Sequence, residues 1–86
     1  MSATDTSLSS QITIRRMDLS GSDRSALARL AQLDTRPQPQ GTVLGAEVEG
    51  KLVAAISIDS GDAVADPFSR TGELRNLLEL RAAQLR

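Results

Sequence analysis

Residues 43–59, VLGAEVEGKLVAAISID, hold two β-rich runs of Val, Ile, Leu and Ala on either side of Glu49-Gly50. Glycine in such a turn accepts the positive φ of a tight hairpin, so the two runs read as antiparallel neighbours, strands two and three. A hairpin alone cannot bury its apolar side chains in water and needs further strands or helices against it. The flanking sequence offers both. In QITIRRM, residues 11–17, Ile12 and Ile14 alternate with Thr13 and Arg15, the period of a half-buried first strand.

Next comes SGSDRSALARLAQLD. Ser20 with Asp23 three residues later resembles a capping box with Asp in place of Glu, and Ala26, Leu27, Leu30, Ala31 and Leu33 share one helical arc. A first helix is expected over roughly 21–34. Pro37 and Pro39 in TRPQPQGT withhold backbone donors that a helix or central strand would need, which makes 35–42 a loop within one domain. DSGD, residues 59–62, repeats the turn chemistry and leads into AVAD, a short fourth strand stopped by Pro67. From Thr71, as N-cap, the chain reads as helical to its end.

Within that last helix, Leu85, Leu78 and Leu77 fall within about 60° of Leu74, the apolar stripe of a helix packed on a sheet. Arg81 lands inside the stripe, and Leu80 and Ala82 flank it. The arc is wider than one sheet contact requires. One reading makes Leu80 and Arg81 an interface for a second copy or a protein partner; the other has Arg81 snorkelling past a thin core edge and Leu80 a scattered surface residue. The element order, strand, helix, three antiparallel strands, helix, defines an α+β class.

Composition narrows the chemistry. The 86 residues allow one domain over 11–86, preceded by a Ser/Thr-rich tail, residues 1–10, with nothing to bury and an expectation of disorder. Cysteine and histidine are absent, so disulfides, a thiolate nucleophile, a Ser-His pair and the usual zinc sites are excluded, and no metal site is expected. Acid or base work would fall to carboxylates or water; Asp59, Asp62 and Asp66 cluster near strands three and four, where turn and capping roles account for them. A net charge of −1 and a single aromatic residue, Phe68, argue against nucleic acid as a partner. The longest apolar run, Leu52 to Ile56, is far short of the about 20 residues of a membrane span, and the first residues lack a secretion signal, so a cytoplasmic protein is expected.

Three stretches together resemble the front half of the GNAT superfamily of acyl-CoA-dependent N-acyltransferases. ITIRRMDLSGSDRSALARLAQL resembles its opening strand and Ala/Leu-rich helix, AEVEGKLVAAISI its central hairpin, and VADPFSRTGELRNLL its fourth strand and third helix. The resemblance implies a site for acetyl-CoA or coenzyme A at the start of the last helix, where Arg70, Thr71 and Gly72 would cradle pyrophosphate on backbone N–H groups. The family's pattern there runs Arg or Gln, two residues, Gly, one residue, Gly or Ala. Counted from Arg70, the two small positions fall on Glu73 and Arg75, and Gly72 is out of register. RTGEL also reads without any ligand, as a helix start with Thr71 as cap and Glu73 in the first turn.

A full domain of that family continues through a fifth strand, a fourth helix and two more strands, and the opening between strands four and five receives the pantetheine arm. This sequence stops before them and contains no Tyr to protonate a thiolate. The expectation is therefore a truncated GNAT-like domain, not catalytic alone, with no catalytic residues assigned, acting as a binding or regulatory module and as a homo-oligomer or with a protein partner. The alternatives are an N-acetyltransferase completed by dimerisation or by a partner chain, and a fragment left by gene decay.

Overall fold

The computed structural model of the chain describes residues 12–68 and 72–85. Its elements run β1 (Ile12–Arg16), α1 (Ser22–Leu33), β2 (Val43–Val48), β3 (Lys51–Ser57), β4 (Ala63–Ala65) and α2 (Gly72–Leu85). The four strands form one antiparallel sheet in the order β1-β2-β3-β4, so the α+β class holds. The expected tail, residues 1–10, lies outside the described residues, as does Thr71, the expected cap of α2.

The hairpin sits where its turn chemistry places it. Glu49 and Gly50 both have positive φ, 53° and 81°, as a type I′ turn requires. Val43 to Ala46 and Val53 to Ser57 are buried without a break. An antiparallel strand reads this way only when both faces of the sheet are covered, and here each face carries a helix. Leu27, Leu30 and Ala31 of α1 pack with Met17, Val43, Ala55 and Val64 on one face. Leu78 and Ala82 of α2 pack with Leu44, Ala46, Ala54, Ile56 and Ala65 on the other.

A β-bulge in the hairpin changes which face its side chains take. Ala46 pairs with Ala54 but Glu47 pairs with Leu52, so Val53 has no opposite residue in β2. Its carbonyl instead accepts the Asp66 N–H at 2.8 Å. The extra residue resets the alternation: Ala54 faces α2, and Leu52, two residues earlier, joins the α1 face. Gly45 makes room for that rearrangement, because a Cβ there would stand 2.8 Å from Leu52 Cδ1 and 3.0 Å from Met17 Sδ.

Two expectations are corrected. Ser20 and Asp23 do not form a capping box: the N-cap of α1 is Gly21, with no side-chain cap bond. The Ser20 N–H and hydroxyl both donate to Asp18 Oδ1, at 3.1 and 2.6 Å, and Asp23 is taken by the Arg15 guanidinium, a stronger partner than an amide. The buried line of α2 is Leu74, Leu78 and Ala82, one residue every turn, whereas Leu77 and Leu85 are 46% and 51% exposed. Ala82, Ala46 and Ala54 are all fully buried; three small side chains let the helix approach the sheet along that line, which turns Leu77 outward. Arg81 is exposed rather than tucked into the stripe.

Truncation discriminates the two stripes. Leu78→Ala is expected to cost about 2–5 kcal/mol of unfolding free energy, and Leu77→Ala less than about 1 kcal/mol, in urea titrations of dilute protein. Equal costs would restore the stripe centred on Leu74, Leu77 and Leu78.

Candidate functional site

Arg15 projects from β1 toward α1 and meets two carboxylates. Its Nη1 donates to Asp23 Oδ2 and its Nη2 to Asp23 Oδ1, both at 2.8 Å, and Nη2 also donates to Glu47 Oε2 at 3.0 Å. Asp23 Oδ2 further accepts the Asp18 N–H at 2.8 Å. The bond from Arg15, and after it the Asp18 N–H, hold the Asp23 carboxyl well below the usual carboxylate range. The Asp23 bond and then the Glu47 bond raise the guanidinium above its ordinary value, and the Ser20 hydroxyl and then the Ser20 N–H lower Asp18. These groups are held in their charged forms. The cluster ties β1, the start of α1 and β2 together.

The far edge of the sheet is closed by the loop that follows α1. Arg36 N–H bonds to Ala31 O and Thr35 N–H to Gln32 O, both at 3.1 Å, with Thr35 at a φ of 51°. This is a Schellman motif, with Thr in the left-handed position where glycine is usual. It delivers Asp34 to β4: the Ala65 N–H, on the side away from β3, donates to Asp34 Oδ2 at 3.0 Å, and Arg36 Nε lies 3.4 Å from the same oxygen. Arg36 and Pro37 then line a small cavity with Asp62 and Ala63.

The Asp59 and Asp66 carboxylates take turn and capping roles, and Asp62 contributes its backbone carbonyl. Asp59 Oδ2 accepts the Thr42 N–H at 2.9 Å; the Asp62 carbonyl accepts the Ser57 N–H at 2.8 Å; buried Asp66 accepts the Phe68 N–H on Oδ1 at 2.8 Å. Ser57, also buried, donates its hydroxyl to Gln40 O at 2.6 Å and accepts the Ser60 N–H at 3.2 Å, pinning the proline loop to the turn before β4. The Phe68 ring is 85% exposed.

At the start of α2, Arg70 and Thr71 lie outside the described residues. Gly72 is the first helical residue; its φ is not positive, and a Cβ there would meet nothing within 4 Å. Among the described residues nothing requires a glycine at this position. Glu73 is exposed in the first turn, where its charge suits the helix dipole and opposes an incoming phosphate. Among the described residues, no three His, Cys, Asp or Glu side chains could hold a metal ion, and no helix is long and apolar enough to cross a membrane.

Leu80 and Arg81 stand with Ile14, Leu77 and Gln84 around a shallow groove of about 240 Å³ between α2 and β1. Leu80 is 58% exposed. Leu77 and Gln84 were not expected on this surface; the spacing 77, 80, 84 in the sequence carries the signal, once the buried line is known to run through 74, 78 and 82. Asp34 had no signal of its own, since its partner Ala65 lies 31 residues away. With this geometry in hand, no protein-family model, no curated protein and no solved structure matches the chain.

The Arg15 clamp sets an acid limit. Because the folded Asp23 carboxyl titrates below its unfolded value of about 3.9, the stability it contributes is fully present above about pH 5 and is lost as pH falls through the folded value. Asp23→Asn is expected to melt lower than the parent at neutral pH and to show a shallower decline toward acid in thermal unfolding. Parallel pH profiles would mean that Asp23 is not paired in solution.

Proposed function

We propose that this chain is built on the plan of the front half of a GNAT-type N-acyltransferase domain and works as a binding or regulatory module without catalysis of its own. The order of elements and the consecutive four-stranded antiparallel sheet support the first part. The observation that carries the second is the edge of β4. In that family the opening beyond the fourth strand receives the pantetheine arm; here the Ala65 N–H on that edge is held by the Asp34 carboxylate, and Arg36 and Pro37 lie beside it. A β-strand edge with one of its two outward donors already paired, next to a fixed carboxylate, is a poorer site for a pantetheine amide.

The start of α2 supports the same reading. A pyrophosphate there would meet Glu73 where the family pattern has glycine, and the charge repulsion is offset only in part by Arg70 and Arg75. What remains is a compact scaffold with exposed apolar side chains on α2, a surface suited to another protein.

Isothermal titration with acetyl-CoA, run beside Arg70→Glu, tests the proposal. The expected result is no binding heat up to millimolar ligand and no thermal stabilisation. Micromolar binding that Arg70→Glu abolishes, or turnover of acetyl-CoA with an amine acceptor, would overturn it in favour of an acyltransferase completed by a second copy or another chain.

A further inference from the structure

The outward face of α2 carries Glu73, Leu77, Leu80 and Gln84, all exposed. Their spacing of four, three and four residues is that of a coiled-coil seam, in which every member falls on one narrow stripe. The stripe is separate from the line Leu74, Leu78 and Ala82 that packs on the sheet, lying about 130° round the helix from it at 100° per residue. α2 therefore presents two seams, and among the described residues only one of them is covered.

We propose that the second seam pairs with its own counterpart in a second copy of this chain, the two α2 helices running antiparallel. Polar self-complementarity selects that occupant and that direction. With a two-fold axis between Leu77 and Leu80, each Leu77 faces the other copy's Leu80, and each Glu73 faces the other copy's Gln84. The two leucines, 46% and 58% exposed, form the apolar centre, and a carboxylate meets an amide donor at both ends. Parallel helices would set Glu73 against Glu73, a like-charge contact without compensation. Antiparallel alignment also opposes the two helix dipoles, bringing the C-terminal Gln84 to the N-terminal turn of its neighbour. Arg81, one turn before Gln84 and exposed beside the seam, adds a cation on the flank that Glu73 of the other copy approaches. The groove between Leu77, Leu80, Arg81 and Ile14 lies along the same flank and is narrowed by the pairing.

This inference deepens the proposed binding role by naming its partner and surface. It can fail while the reading of the β4 edge stands, and the reverse, because coenzyme titration reports on one and association state on the other.

Sedimentation equilibrium from micromolar to millimolar protein tests it with three variants. The parent chain is expected to associate reversibly to a dimer and no further. Leu80→Glu is expected to abolish association while keeping the parent's circular dichroism and its melting temperature in dilute solution, since the side chain is exposed in the single chain. Gln84→Lys places a cation opposite Glu73 twice per dimer and is expected to tighten association about fivefold, whereas Gln84→Glu loosens it by a similar factor. A parent chain that stays monomeric to millimolar concentration overturns the proposal. So does a Gln84→Lys variant that associates more weakly, because like charges meet at that position only if the helices are parallel.

Discussion

Small side chains at the middle of the sheet are the constraint from which the rest follows. Gly45, Ala46, Ala54 and Ala55 occupy the centre of β2 and β3, and the helix over each face can come close only because they carry so little bulk. On one face Ala82 approaches Ala46 and Ala54; on the other Leu52 and Met17 fill the space that Gly45 leaves. A chain of this size, with one aromatic residue, has no large side chains with which to build a thick core. It obtains its burial from two thin layers, one on each side of a single sheet. The bulge at Val53 serves the same end, since it lets Leu52 and Ala54 face opposite sides.

With both faces committed, polar residues are left to close the edges and joints. Arg15, Asp23 and Glu47 clamp β1 and the start of α1 to the hairpin, and Asp34 pairs one donor, the Ala65 N–H, on the edge of β4. In the proposed reading these devices count against catalysis as well as for stability. The carboxylates of Asp23, Asp34, Asp59 and Asp66 are engaged by guanidinium or backbone N–H groups. Among the described residues, the outer stripe of α2 is one surface that these devices leave free.

Much of the architecture was legible in the sequence because it rests on local signals. The Glu49-Gly50 turn, the alternation of Ile12 to Arg15, the proline loop and the two helical runs each announce themselves within a few residues. What was not legible depended on contacts between distant segments. Asp23 looked like a cap because Ser20 precedes it by three residues, but its carboxylate pairs with the Arg15 guanidinium and the Asp18 N–H, not with Ser20. Leu77 looked buried because a helical wheel ranks angle alone, whereas the close approach at Ala82 rotates the buried line toward Leu78. Of the residues singled out for coenzyme binding, Gly72 proves to be an ordinary helical position, and Arg70 and Thr71 lie outside the described residues. Leu80 and Arg81, singled out as an interface, are both exposed, and the residues that complete their surface emerge only after α2 is docked.

The two-sided sheet is the claim on which everything else stands, and isotope-edited nuclear Overhauser spectroscopy of methyl groups reads it directly. The account predicts cross-peaks from Leu78 and Ala82 to Ala54 and Ile56, and from Leu27 to Val43 and Val64, with none linking Leu27 to Leu78. Cross-peaks from both helices to the same sheet residues, or from Leu77 and Leu85 to Ile56 in place of Leu78, would contradict it.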